Sequence, residues 1–260
     1  MKPVIYLGSL PIPTYLLIIS ATYSASLLWV MARAKKMKMD AHTTLDLSLA
    51  IMLGGFLGAR FLHVIYEAPA HYREDLFNVF RIWQGGFVFY GGVIGAFIGT
   101  ELVIRRQRLQ RGLWQDLFTP LFPLGYAVGR LACLFAGCCY GLPTDLPWAI
   151  HFPEGVEAPP GLSLHPTQAY AMIWEMALFI AILYLGKNKK PFCSQPGTKF
   201  YIWLVGHGFG RLFMEHFRAD DRGKYIMGFS ISSVISYGLI AWAGSVLISR
   251  YKKLRIKNAP

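Results

Sequence analysis

Seven long apolar runs, separated by loops that hold most of the chain's charge, constrain this sequence more than any other feature. They can be drawn at 13–32, 46–66, 86–104, 114–136, 167–186, 200–217 and 228–249. About 20 apolar residues in an α-helix cross the hydrocarbon core of a bilayer. Backbone N–H and C=O groups find no water there, so each crossing must satisfy its own by forming helix. The runs therefore predict an all-α integral membrane protein, a seven-transmembrane helix bundle with residues 1–260 as a single polytopic domain. Composition serves as a check. Only 15% of residues are charged and 54% are apolar, whereas a soluble domain carries roughly a quarter charged residues.

The formal net charge of +12 would suit a nucleic-acid binder if the basic residues were spread over a polar surface. They are not. Seventeen of the 26 Lys and Arg fall in four clusters: Arg33, Lys35, Lys36, Lys38; Arg105, Arg106, Arg108, Arg111; Lys187, Lys189, Lys190, Lys199; and Arg250, Lys252, Lys253, Arg255, Lys257. Each ends or separates apolar runs, as expected when cations are retained on the cytoplasmic side. The four clusters then lie inside, the N-terminus lies outside, the C-terminus lies inside, and nucleic acid is excluded as a partner. The connection from about Leu142 to His165 has no Lys or Arg and is rich in Pro and aromatic residues, which predicts an ordered cap over 142–165 on the outer face. The first run begins near Pro11, is long for a signal-peptide core and runs into a basic cluster, as a retained span does.

Cysteine and glycine carry less. The chain has four cysteines (Cys133, Cys138, Cys139, Cys193), too few for a disulfide framework, and the adjacent pair fits no common zinc spacing, so no metal is expected. Gly91, Gly95 and Gly99 recur at spacing four, as do Gly54 and Gly58. Small residues at that spacing let helix backbones approach closely.

Ionisable residues inside apolar runs are costly and mark function. Arg60 ends the string GGFLGARF, Arg130 lies in YAVGRLACLFAGCCYG, and His207, Arg211 and Glu215 lie in GHGFGRLFMEHFR. On the drawn topology Arg130 falls in the outer half of the fourth run, and Arg211 with Glu215 in the outer half of the sixth. Two guanidiniums at one level form a cradle for a lipid phosphate, to which Arg bonds bidentately. The alternatives are structural: an ion pair between Arg211 and Glu215 across one helical turn, and a His207 simply hydrogen-bonded to a neighbouring helix.

Six strings in register resemble the bacterial prolipoprotein diacylglyceryl transferases along nearly the whole chain: PVIYLGSLPIPTYLL, GARFLHVIYE, IWQGGFVFYGGVIG, GRLACLFAGCCYG, HPTQAY and FGRLFMEHFRADD. The resemblance implies an inner-membrane enzyme, N-terminus periplasmic, that moves the diacylglyceryl group of phosphatidylglycerol to the lipobox cysteine thiol of a secreted precursor and releases glycerol phosphate. It implies no metal or soluble cofactor. Carried over by position, Arg130 and Arg211 become the essential arginines, with Tyr15, His207 and Glu215 in the same pocket. The matching strings add Arg60, Gly91, Gly92 and His165 as substrate-binding candidates.

Four polar positions depart from the family pattern. The family's third-span histidine is Tyr90, its fourth-span asparagine is Cys133, its acidic residue there is Cys138, and the tyrosine four residues before the sixth-span arginine is His207. Tyrosine titrates near pH 10 and is a poor base at neutral pH, so His207 is the expected replacement for the lost imidazole. With Tyr90 and Cys138 at catalytic positions and Cys133 and Cys139 beside them, the thiols are open to three readings: a covalent way-station, small helix-end residues, or a disulfide. Two rival functions stand beside the leading one: a paralogue with the same lipid donor and a different acceptor, and a non-catalytic lipid- or partner-binding protein.

Overall fold

The structure is a computed structural model that describes residues 4–7, 10–82, 85–187, 190–220, 225–226 and 228–257. Strands β1 (Val4–Leu7) and β2 (Leu10–Pro13) pair antiparallel, with Val4 opposite Pro13. Helices follow: α1 (Thr14–Lys36), α2 (Ala41–Leu62), α3 (Pro69–Glu74), α4 (Phe89–Arg106), α5 (Arg111–Phe118), α6 (Leu121–Ala136), α7 (Thr167–Lys187), α8 (Pro191–Ser194) and α9 (Thr198–Glu215). A second hairpin, β3 (Tyr225–Ile226) and β4 (Phe229–Ser230), leads into α10 (Ile231–Lys257). The fold is mostly helical, but the two hairpins depart from the all-α expectation. Pro11 and Pro13 explain the first: each lacks an N–H, so the first helix begins only at Thr14.

Five helical segments are long and apolar enough to cross a bilayer: Thr14–Lys36, Ala41–Glu67, Arg111–Ala136, Thr167–Lys187 and Ile231–Lys257. The other two expected crossings, α4 and α9, are 18 residues each and hold three charged side chains apiece: Glu101, Arg105 and Arg106 in one, Lys199, Arg211 and Glu215 in the other. Outward-facing residues on the long helices are those a soluble bundle would bury. Helix α2 exposes Leu53, Leu57 and Phe61, and α7 exposes Ile173, Ile180 and Tyr184. Removing such side chains from water stabilises by about 1.5–3 kcal/mol each, which lipid provides here in place of a protein core.

The chain divides into two compact units, Leu27–Arg111 and Met1–Ser26 with Gly112–Pro260. In the first, α2 and α4 pack backbone to backbone, as the glycine spacing predicts. A Cβ added at Gly54 would strike the Gly95 carbonyl, one at Gly58 the Gly91 carbonyl, and one at Gly99 would lie 2.8 Å from the Ala50 carbonyl oxygen. Arg60, buried on α2, organises the loop that follows. Its Nε donates to Val79 O (3.1 Å), Nη2 to Asn78 O (2.6 Å) and Arg81 O (3.3 Å), and Nη1 to Gly86 O (3.1 Å) and Gly85 O. The Tyr72 and Phe87 rings stand 5.3 and 5.6 Å from the guanidinium carbon.

In the second unit α6 packs on α7, α7 on α9, and α9 on α10. Glycine again sets the spacing between α7 and α9: a Cβ at Gly210 would strike the Trp174 indole, and Trp174 Nε1 donates to Gly206 O at 3.0 Å. The non-helical segment between α6 and α7 is ordered around Phe152, Ala158 and Leu164, with Ile150 paired to Leu164. Lys199, grouped in the sequence with flanking cations, is a partly buried partner of the buried Asp116 at 2.8 Å.

Candidate active site

A mid-helix charge in apolar surroundings must find a counter-charge, hydrogen bonds or a ligand. The unit containing α6, α7, α9 and α10 brings three guanidiniums within electrostatic reach of one another: Arg130 on α6, Arg211 on α9, and Arg218 just past the end of α9. Two are matched. Arg211 Nη1 donates to Glu215 Oε2 at 2.8 Å, one turn along the helix, and Nη2 to Ser232 Oγ on α10 at 2.7 Å. Arg218 grips Asp220 through Nε–Oδ1 at 2.8 Å and Nη2–Oδ2 at 2.5 Å. Burial opposes the Arg218 charge, but the Asp220 hydrogen bond outweighs it and holds the guanidinium above its ordinary range.

Arg130 differs. Its guanidinium carbon lies over the Tyr126 ring, 4.6 Å from the centroid, one turn earlier on α6. Among the described residues it has no carboxylate and no hydrogen-bond partner. A cation–π contact is worth about 0.5–2 kcal/mol, well short of what desolvating a guanidinium costs. The cluster thus holds one positive charge more than its paired carboxylates neutralise, and that charge sits at Arg130. The face of α6 beside it is bare among the described residues: a Cβ at Gly125 or Gly129 would meet none of them within 4 Å.

Tyr126 also touches His207, edge to face at 4.8 Å. His207 Nδ1 lies 2.5 Å from Glu175 Oε1 on α7, and the other carboxylate oxygen accepts from Trp203 Nε1 at 3.2 Å. Glu175 is almost fully buried, at 3% exposure. A carboxylate on one ring nitrogen fixes the orientation of the imidazole and leaves Nε2 to exchange a proton.

The three thiols converge beyond the C-terminus of α6. Gly137 adopts a left-handed conformation (φ 72°), and the chain closes with Cys138 N–H on Cys133 O (3.2 Å) and Gly137 N–H on Leu134 O (3.3 Å). This six-to-one closure is a Schellman motif, which sets the residue two past the helix against the one three before its end. Cys133 and Cys138 occupy those places. Cys139, also left-handed (φ 61°), turns its side chain back, and the three sulfurs lie within 4.8 Å of one another. Hydrogen bonds from the Cys133 and Cys138 thiols, and then the Arg130 and Arg218 charges, hold the Cys139 thiol well below the ordinary thiol range.

The other sequence candidates fall in several places. The Tyr15 hydroxyl is within electrostatic reach of Arg130 and all three thiols. His165 Nδ1 lies 3.1 Å from Tyr170 Oη, and its ring packs on Phe217. In the Leu27–Arg111 unit, Gly91 and Gly92 face α2 in helix packing, Arg60 is engaged by loop carbonyls, and Tyr90 stands in the first turn of α4. Glu175, Tyr126, Ser232 and Arg218 escaped the sequence reading. Glu175 was detectable by the rule that found the arginines, as the single acid of an apolar run. Arg218 reads as a flanking charge until the helix end is known.

The fold and this cluster define a helical membrane protein with an arginine-rich polar interior. Residues 2–249 match the family model described as prolipoprotein diacylglyceryl transferase. A phosphatidylglycerol–prolipoprotein diacylglyceryl transferase of Bordetella bronchiseptica is 33% identical over 230 residues, covering 85% of this chain and 86% of that protein. One of Clostridium tetani is 30% identical over 255 residues (97% and 100%), and one of Methylocella silvestris 32% over 256 (94% and 90%). The chain belongs to the prolipoprotein diacylglyceryl transferase family.

Proposed function

We propose that this chain transfers the diacylglyceryl group of phosphatidylglycerol to the lipobox cysteine thiol of a secreted precursor protein in the bacterial inner membrane. Helices α4 and α9 complete seven crossings, with the N-terminus periplasmic, the C-terminus cytoplasmic and the segment 142–165 as the periplasmic cap. The observation that carries the reading is Arg130, a partly buried cation without a carboxylate among the described residues, beside two further guanidiniums, as an anionic head group requires.

The chemistry follows from that excess charge. The acceptor thiol loses its proton, its sulfur bonds to the glyceryl carbon, and the carbon–oxygen bond to phosphate breaks with its electron pair leaving on glycerol phosphate. Arg130 and Arg211 hold that phosphate in a setting poor in competing water, where a preorganised donor is worth about 2.7–4 kcal/mol of barrier. The bare α6 face at Gly125 and Gly129 leaves room for the glyceryl group. His207, oriented by Glu175, takes the thiol proton in place of the family's histidine, and Tyr126 contacts both His207 and Arg130. Tyr15 and Glu215 stay in this pocket as substrate-binding residues. His165 positions the surrounding backbone, while Gly91 and Gly92 set the close packing of α4 on α2 within their own unit. Arg60 acts through the loop it orders, a positioning role in place of direct substrate contact. Tyr90 and Cys138 mark where the site has diverged.

Because Tyr90, Cys133, Cys138 and His207 all depart from the family pattern, a changed acceptor is the second reading. Complementation separates the two. Under the first, the chain lipidates a standard lipobox precursor in a host depleted of its own transferase; under the second, the precursor stays unmodified while phosphatidylglycerol is still consumed with a different thiol or hydroxyl.

A further inference from the structure

We propose that Cys133, Cys138 and Cys139 form a three-thiolate site for a thiophilic metal ion of the Zn²⁺ class. Spacing alone argued against a zinc site, because adjacent cysteines are absent from the common patterns. The fold overrides spacing. The Schellman closure at Gly137 stacks Cys133 against Cys138, and the left-handed Cys139 adds the third sulfur, all within 4.8 Å. With metal–sulfur bonds of about 2.3 Å, three thiolates around one ion sit about 3.8–4.0 Å apart. Less than about 1 Å of closure is needed, within the range of small side-chain rotations.

The backbone that carries these thiols is held independently of them. Thr167 Oγ1 donates to Cys139 O at 2.6 Å, Gln168 Nε2 donates to Cys138 O at 2.7 Å, and Ala158 N–H donates to Gly137 O at 3.0 Å. Such outer bonds fix ligand orientation in metal sites. Gln168 adds a second observation. Its side chain is 1% exposed, and while Nε2 is used, Oε1 is buried with no hydrogen-bond partner among the described residues. An orphaned acceptor on the amide that holds Cys138 suits a water bound at the fourth position of a tetrahedral ion. On coordination the three thiols release their protons to solvent, and a divalent ion with three thiolates carries one negative charge. Arg218, an electrostatic neighbour of Cys139, offsets part of that charge and leaves Arg130 for the head group.

The test is a Co²⁺ titration of the full-length, fully reduced chain in detergent, read by the sulfur-to-cobalt charge-transfer band. It reads metal rather than turnover, so its result is independent of whether the chain lipidates any precursor. The expected result is a thiolate band saturating at a single equivalent and bleached by Zn²⁺. It persists in Cys193→Ser and weakens by more than about a hundredfold in affinity in Cys133→Ser and in Cys139→Ser. Melting curves of the metal-free variants confirm that they remain folded; where one does not, wild-type protein alkylated with N-ethylmaleimide in its folded state must lose the band. Absence of a thiolate band in reduced wild-type protein, or its survival in the alkylated sample, overturns the proposal.

Discussion

Arg130 meets the face of a tyrosine where Arg211 and Arg218 meet carboxylates, and that difference decides what each charge can do. A paired guanidinium already has its anion, whereas Arg130 has geometry and charge left for one. Lysine at this position keeps the charge but loses the planar fork. Arg130→Lys is therefore expected to lower the lipidation rate by about a hundredfold while protein level and melting temperature hold. A drop in melting temperature equal to that of an unrelated core variant would assign Arg130 to structure. Glu175→Gln tests the pair on the opposite side of Tyr126. It removes the carboxylate that orients the imidazole while keeping shape, so kcat should fall with KM and melting temperature unchanged, a split that a packing role would not produce. These residues were legible in unequal measure. Arg130, Arg211, His207 and Glu215 stand out because a charge in an apolar run has few reasons to be there, but their partners are set by which helices pack together, and no spacing within one run reveals that.

Among the helices, glycine does two different things. On α2 and α4 it permits contact: Gly95 faces the Gly54 carbonyl with no space for a side chain. On α6, Gly125 and Gly129 face open space. Gly95→Leu should accordingly abolish accumulation of folded protein, as overpacking against backbone cannot be relieved by rotamer changes. Gly129→Leu should leave the melting temperature within a degree or two while cutting turnover, because it fills the bare face beside Arg130. Equal loss of folded protein from both would remove the distinction. The stripe of Gly91, Gly95 and Gly99 was readable as packing because its spacing matches that of Gly54 and Gly58. The function of the α6 pair was not, since the same small residue serves closeness or vacancy depending on the neighbour. Arg60, a substrate-binding candidate in the sequence, donates to loop carbonyls, and Arg60→Ala would orphan those of Asn78, Val79 and Arg81. Protease cleavage within 78–86 should rise strongly in that variant.

At the scale of the molecule, the apolar runs make membrane insertion evident from the sequence, because length and hydropathy are additive along the chain. Helices α4 and α9, drawn as apolar runs in the sequence, concentrate three charges in 18 residues each and fall outside the five segments long and apolar enough to cross. A reporter fused after Lys257 should be active only in the cytoplasm, and a cysteine-specific, membrane-impermeant label should reach an engineered cysteine in 142–165 only from the periplasmic side. Opposite labelling would reverse the proposed orientation and move the arginine cluster away from the secreted substrate. The three thiols were legible as candidates but their convergence was not, because the chain reversal at Gly137 and the left-handed Cys139 create a proximity that separation along the chain conceals.

The most direct measurement is transfer itself. Purified chain is mixed with phosphatidylglycerol labelled in its diacylglyceryl moiety and a synthetic lipobox precursor, and the peptide is examined for label. The account predicts a labelled thioether at the lipobox cysteine, stoichiometric release of glycerol phosphate, and neither product with Arg130→Ala. Undiminished transfer by Arg130→Ala, or an unlabelled peptide under conditions where the Bordetella bronchiseptica relative modifies it, would contradict the account.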